Sequence, residues 1–200
     1  MRSTPCVILA GGGSRRFGTP KGLALLNGRP LIARVQDRLK AQTDGPIAVN
    51  TGSPNIYVDA IDLIVEDQLT GGLGPLAGVH AAMAWAREQG AAQVLCAPVD
   101  TPFLPMDLLA ALDNAGAPAI SASRGRAHPV CGLWPTAFAE ALEHAVKDGL
   151  RAAVEWGAQS GAKSVEFADQ DGVDPFFNIN TREDLETAEA AYRVSSTRED

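Results

Sequence analysis

Along the chain, short apolar runs alternate with stretches in which apolar residues return every three or four positions. The first run, Cys6-Val-Ile-Leu-Ala10, ends in three glycines and reads as a buried central strand. A second short run, Leu23 to Leu26, meets Asn27-Gly28, a turn signal. Pro30 suits the first turn of a helix that runs to about Lys40. Residues 46–50 and 63–65 read as further strands. Leu76, Val79, Met83 and Ala86 then follow at spacings of three, four and three, one face of an amphipathic helix. Residues 93–97 form another buried strand, and Pro105 opens a helix that includes Leu108, Leu109 and Leu112. Strands over 119–121 and 130–134 flank an irregular loop containing Gly and Arg. Two more helices are expected near 136–147 and 150–160. Thr181-Arg-Glu-Asp184 has capping-box spacing and begins a last helix with Leu185, Ala188 and Tyr192 on one face. Residues 195–200 read as a frayed tail.

Strands alternating with helices predict a three-layer α/β/α arrangement, a mostly parallel, Rossmann-like sheet covered on both faces. No internal repeat or linker-like tract divides the chain, so residues 1–194 are expected to form one domain. Ligands of such sheets lie beyond the carboxyl ends of the strands. The informative residues are therefore those that immediately follow each apolar run.

Composition narrows the setting. The 200 residues are 46% hydrophobic and 20% charged with net charge −7, which suits a globular chain with a real core and not a disordered one. No apolar run approaches the roughly 20 residues of a membrane helix. Met1-Arg-Ser-Thr-Pro5 leads into the first strand without the apolar stretch of a secretion signal. Cys6, Cys96 and Cys131 are far apart and form no CxxC pair. They read as buried small hydrophobes in a reducing compartment, and a cytoplasmic location is expected.

Charge is unevenly distributed. Residues 1–40 hold eight basic residues against one acid, Asp37, whereas the other 160 hold nine basic and 23 acidic groups. An acidic body repels a long polyanion, which disfavours DNA or RNA; a small anion near the N-terminus fits better. A solvated basic helix accounts for Arg34, Arg38 and Lys40.

The sharpest segment is Leu9-Ala-Gly-Gly-Gly-Ser-Arg-Arg-Phe-Gly-Thr-Pro-Lys21. After a buried strand, glycines let backbone N–H groups approach and cradle phosphate oxygens. Arg15, Arg16 and Lys21 add positive charge at the same point. Two familiar phosphate loops are excluded by spacing. Gly13 and Gly18 have the gap of GxxxxGK[ST] but are followed by Thr19-Pro20, and Arg16 stands where GxGxxG needs its third glycine.

Asp100 follows the 93–97 run, where its carboxylate would project over the carboxyl edge of the sheet. It is suited to Mg²⁺, which prefers carboxylate and phosphate oxygens, and equally to a turn or helix cap beside Thr101-Pro102. Asn50 and Asp67 also lie at or just beyond strand ends, where simple turn chemistry is the alternative. His80 reads as a packed or rim histidine and His144 as a helix-surface residue. Asp169, Asp171 and Asp174 suggest a calcium loop at first sight. Gly172 is out of place for one, however, and Asn180 stands where the closing Glu belongs, so a solvated acidic loop is the better reading.

LAGGGSRRFGTPKG followed by LALLNGRPLI resembles the signature of nucleotidyltransferases of the nucleotide-diphospho-sugar transferase fold. Further matches are Gly74-Pro-Leu-Ala-Gly78, Pro98-Val-Asp-Thr-Pro-Phe-Leu-Pro105, His128-Pro-Val and Phe177-Asn-Ile-Asn-Thr181. In that order and at those intervals they resemble the molybdenum cofactor guanylyltransferases, from about Val7 to Leu185. The common pattern is departed from at Phe17, where Met is usual, and at Pro20, where an acid precedes the lysine.

The resemblance implies transfer of GMP from GTP to the terminal phosphate of molybdenum-bearing molybdopterin, with Mg²⁺ on Asp100. It places Leu9, Ala10, Gly11, Gly12, Gly13, Ser14, Lys21, Asn50, Asp67, Gly78 and Asp100 on the nucleotide side. Lys21, Asp100 and Arg16 would act on the reacting phosphates. His128, Asn178 and Asn180 would lie on the pterin side, although Asn180 is equally suited to a structural role beside the Thr181 cap. Implied protein partners are a molybdenum-insertion protein and molybdoenzyme chaperones, with no nucleic acid and no membrane. The competing readings are a cytidylyltransferase of the same fold, acting on molybdopterin or a sugar-alcohol phosphate, and a nucleotide-binding accessory protein without turnover.

Overall fold

The computed structural model describes residues 3–11, 20–52, 56–57, 61, 63–69 and 73–196, the side chains of 193–196 excepted. The first strand, β1 (Cys6–Leu9), is buried and lies inside a seven-stranded sheet. Its neighbours are β4 (Ile47–Asn50) on one side and β6 (Gln93–Pro98) on the other, both parallel to it. Beyond β4 lies the short parallel β5 (Ile64–Val65). Beyond β6 come β8 (Arg126–Pro135), then β7 (Ala119–Ser123), then β9 (Lys163–Glu166). Only β8 runs against the others, because it pairs antiparallel with both β6 and β7 while β7 and β9 are parallel. The mostly parallel sheet expected from the sequence is thus present, with one reversed strand.

Alternation along the strands divides the core. Val7, Leu9, Val94 and Cys96 face one side, where they pack with α2 (Pro75–Glu88), α4 (Ala139–Lys147) and α5 (Ala153–Gln159). Cys6, Ile8, Leu95 and Ala97 face the other, against α1 (Leu31–Lys40) and α3 (Leu108–Ala115). A third cluster joins Ala24, Leu26, Leu31, Phe103 and Ile179 to Ala188 of α6 (Arg182–Ser196). α6 ties the C-terminal segment back to the start of the chain.

Several boundaries differ from the sequence expectation. Leu23 to Leu26 is not one strand; Lys21–Leu23 forms a single 3-10 turn and β2 (Leu25–Leu26) pairs with β3 (Arg29–Pro30) as a small hairpin. Asn27 and Gly28, at φ 47° and 72°, make its turn, as two left-handed residues do in the favoured hairpin loop. Pro30 therefore precedes α1 and does not lie in its first turn. α3 begins at Leu108, three residues after Pro105.

The supposed irregular loop before residue 130 is a two-residue turn, Arg124 (φ 51°) and Gly125 (φ 72°), joining longer strands. The reading failed there because Pro129 breaks the alternation. It sits at a register shift, with Ile120 opposite Gly132 but Ser121 opposite His128, and irregular pairing is where a sheet tolerates proline. β9 carries no apolar pattern in the sequence, because its Lys163, Ser164 and Glu166 are exposed, as on a charged sheet edge. α6 extends to Ser196, two residues into the expected tail.

Candidate active site

The carboxyl ends of β1, β4, β5 and β6 collect most of the sequence-designated residues. Leu9 and Ala10 are fixed by the backbone: the Ala10 N–H donates to the Asn50 carbonyl at 2.8 Å, and the Leu9 carbonyl accepts from Val99 N–H at 3.1 Å. Asn50, buried at the end of β4, donates through Nδ2 to the Val65 carbonyl at 3.0 Å and to Asp67 Oδ1 at 2.9 Å. Asp67, itself exposed just past β5, is thereby held against the β4 end.

Gly78 explains itself from the same contact. It is buried in the first turns of α2, and a Cβ there would lie 2.5 Å from Asn50 Oδ1 and 3.1 Å from Leu9 Cδ2. A side chain at 78 would push Asn50 off Asp67. A Cβ on Gly11 would meet the same oxygen at 3.7 Å, an ordinary contact, so that position is open by comparison.

Lys21 and Asp100 meet on the other side of β1. Lys21 opens the 3-10 turn before β2, and Asp100 lies two residues past β6. The ammonium donates to Asp100 Oδ2 at 2.6 Å and to Asn180 Oδ1 at 2.7 Å, with the Lys21 and Asp100 side chains each 18% exposed. The Asp100 carbonyl also accepts from Ile179 N–H at 3.0 Å, which fastens the 178–180 segment beside it.

Asn180 takes the structural setting expected beside the Thr181 cap, and it also touches Lys21. Its side chain reaches Lys21, while its backbone N–H, together with that of Thr181, donates to Asp184 Oδ2, both at 2.8 Å. Thr181 Oγ1 accepts in return from Asp184 N–H at 3.1 Å, so the capping box at the start of α6 is reciprocal. These backbone donors hold the Asp184 carboxyl below its usual range. Asn178 is exposed.

His128 lies near the Arg126 end of β8, the end next to the carboxyl terminus of β7. Its Nε2 is 2.8 Å from Ser123 Oγ, and that hydroxyl donates to Asp174 Oδ1 at 2.7 Å. Its ring stacks on Phe176 at 4.8 Å. Burial lowers the His128 pKa; Asp174 and Glu166 oppose that effect and Arg126 adds to it. The sequence points to His128 but not to Ser123, whose small polar side chain carries no spacing signal, and it places Asp174 in a solvated acidic loop, whereas that carboxylate is bonded to Ser123.

In the acidic loop, Asp169 pairs with Arg124 through both oxygens at 3.0 and 2.8 Å, and Asp174 accepts from Ser123 and from Phe176 N–H. His80 is buried in α2 with Nδ1 unpartnered, and His144 is exposed. Gly12, Gly13, Ser14 and Arg16, with Arg15 and Phe17, lie outside the described residues.

The donors suit magnesium in one specific manner. Among the described residues no three His, Cys, Asp or Glu side chains gather to hold a metal, so an all-protein cage is not offered. One carboxylate at a partly exposed strand end, with a lysine beside it for phosphate, matches the way Mg²⁺ is bound through one or two carboxylates plus substrate phosphates.

Fold and site together define a nucleotidyltransferase-type α/β protein: a mostly parallel sheet with a lysine and an aspartate meeting at its carboxyl edge. The chain matches the model of the MobA-like NTP transferase domain over residues 6–163 and belongs to that family. It is 42% identical over 186 residues to the molybdenum cofactor guanylyltransferase of Acidiphilium cryptum (strain JF-5), covering 92% of this chain and 93% of that one. The fold is shared with molybdopterin-guanine dinucleotide biosynthesis protein A from Archaeoglobus fulgidus at TM-score 0.72 and 22% identity, over 95% of this chain and 99% of that one. It is shared too with 4-diphosphocytidyl-2C-methyl-D-erythritol synthase from Anaerococcus prevotii DSM 20548, at TM-score 0.70 and 14% identity over 96% of each chain.

Proposed function

We propose that this chain transfers GMP from GTP to the terminal phosphate of molybdenum-bearing molybdopterin. An oxygen of that phosphate forms a bond to the α-phosphorus of GTP, the α–β bridging P–O bond breaks, and pyrophosphate leaves with the electron pair. The acceptor phosphate is already ionised at neutral pH, so no dedicated general base is required. The observation that carries the reading is the contact of Lys21 with both Asp100 and Asn180, which joins the nucleotide side to the segment assigned to the pterin. Kinship with the guanylyltransferases supplies the choice of GTP and molybdopterin.

Lys21 and the backbone N–H groups of 11–13 hold the triphosphate, with Ser14 and Arg16, close by in sequence, acting on the same phosphates. Leu9, Ala10, Asn50 and Asp67 border the nucleoside, and Gly78 makes room for Asn50. Asp100 would hold Mg²⁺, which when bound neutralises charge on the phosphates. Asn178, Asn180 and His128 face the pterin, whose ring pattern of donors and acceptors amides and imidazole can read. A molybdenum-insertion protein would deliver the acceptor and molybdoenzyme chaperones would receive the product, in the cytoplasm.

Thermal stability measured with GTP, CTP, UTP or ATP, each with Mg²⁺ and then with EDTA, tests the nucleotide side. A ligand at 100 times its Kd stabilises by about 2.7 kcal/mol, a rise of roughly 5–10 °C for a chain this size. A magnesium-assisted rise with GTP alone supports the proposal. A rise with CTP alone favours the cytidylyl reading.

A further inference from the structure

Ser123 has one hydroxyl proton and two charged or titratable neighbours. Its Oγ is 2.7 Å from Asp174 Oδ1, to which it donates, and 2.8 Å from His128 Nε2. Asp174 Oδ1 also accepts from Phe176 N–H at 2.9 Å, which fixes the carboxylate as the acceptor end of the chain. With its only proton committed to Asp174, the Ser123 oxygen is left as an acceptor toward the imidazole. His128 must then carry a proton on Nε2. The second ring nitrogen, Nδ1, has no hydrogen bond among the described residues and is not fully buried, in a ring that is itself only partly buried. In the neutral ring it presents a lone pair.

The arrangement is well braced. Ser123 is 1% exposed at the end of β7, and Phe176 stacks on the imidazole at 4.8 Å with 26° between the planes. Ser123, Asp174 and Phe176 thus fix the ring from the neighbouring strand and from the segment that leads to Asn178 and Asn180.

We propose that Ser123 and Asp174 are positioning residues that hold His128 as its Nε2–H form, so that Nδ1 accepts a hydrogen bond from an N–H group of the acceptor substrate. The role rests on the reading that His128 borders the pterin; the proton's location does not. A heterocycle bearing amino and lactam N–H donors is the class of ligand such a lone pair selects. Protonation turns Nδ1 into a donor, so the contact weakens as pH falls through the pKa of His128. Burial lowers that pKa, with Asp174 and Glu166 opposing and Arg126 reinforcing the shift.

The proton is located by long-range ¹H–¹⁵N NMR on histidine-labelled, full-length protein. The expected spectrum has His128 protonated at Nε2, with an exchange-protected proton that disappears in Ser123→Ala. A proton on Nδ1 in the unaltered protein would overturn the proposal, whatever any variant does. In kinetics with molybdenum-molybdopterin, Ser123→Ala is expected to raise the acceptor KM about three- to tenfold, the range of one neutral hydrogen bond, with the GTP KM unchanged. Ser123→Thr, which keeps the hydroxyl, should restore it. Equal acceptor KM values for Ser123→Ala and the unaltered protein would also overturn the proposal. If His128→Ala leaves the acceptor KM unchanged although Nε2 is protonated, the acceptor-side reading of His128 is what fails, and the role falls with it.

Discussion

Lys21 and Asp100 stand 79 residues apart in sequence and 2.6 Å apart in space. The pair closes the distance between the segment after β1 and the segment after β6, two strands that are direct neighbours in the sheet. A charge-assisted hydrogen bond from the Lys21 ammonium to a phosphate oxygen, as proposed above, is worth roughly 1.5–3 kcal/mol. Lys21→Ala should therefore lower kcat/KM on the order of tenfold to a hundredfold. Asp100→Ala should cost more, because the proposed magnesium ligand goes with it. Purified Asp100→Ala with undiminished Mg²⁺-dependent turnover would remove Asp100 from the reaction.

Gly78→Ala places a methyl group 2.5 Å from Asn50 Oδ1. Asn50 has to move, and its bonds to Val65 and Asp67 weaken with it. Overpacking of a buried position costs about 1–3 kcal/mol, to be read by urea denaturation. The GTP KM should rise in parallel. Lowered stability with an unchanged KM would show that the Asn50–Asp67 pair is not needed for the nucleotide.

His80 makes stability depend on pH. The ring is 5% exposed with Nδ1 unpartnered. Burial lowers its pKa below 6.5, with Glu143 and Asp67 opposing and Arg87 and Lys147 adding to the shift. Above pH 6.5 the ring is neutral whether the chain is folded or not. Below it the unfolded chain takes up a proton first, so stability falls until the folded pKa is passed. His128 is shifted the same way and contributes its own share. His80→Leu should flatten part of the decline between pH 7 and 5 in denaturation curves. An unaltered slope would mean that His80 is already accessible to protons in the folded protein.

The cysteines are buried and unpaired, and burial pushes the thiols of Cys6 and Cys131 up to about 12 and that of Cys96 up as well. Little thiolate exists at neutral pH, and it is the thiolate that reacts. Ellman's reagent should find no fast thiol in the folded protein and three after denaturation. A fast-reacting thiol under native conditions would contradict the packing of β1, β6 or β8.

Much of this was legible in the sequence for identifiable reasons. β1, β4 and β6 announce themselves because strands buried on both faces are nearly all apolar, and residues that follow such runs sit at the ligand edge. Asn50, Asp67 and Asp100 stand at such ends, Lys21 is marked by the glycine-rich segment and the resemblance it carries, and the Thr181–Asp184 cap by its spacing. The early strand around Pro129 was not legible, because a proline at a register shift looks like a loop. The Ser123–Asp174 contact was not legible either. It joins residues 51 apart through strand and loop geometry that no local pattern encodes. The small hairpin of β2 and β3 falls between these cases, since Asn27-Gly28 marked its turn but not its second strand.

The central claim is GMP transfer, and the direct test follows the nucleotide's α-phosphate. GTP labelled at that phosphate is incubated with Mg²⁺, molybdenum-molybdopterin and purified protein, with labelled CTP in parallel. The account predicts that label from GTP enters a pterin guanine dinucleotide, one pyrophosphate appearing per label transferred, with little transfer from CTP. Transfer from CTP in preference to GTP, or GTP binding with no pyrophosphate released in the presence of acceptor, would contradict it.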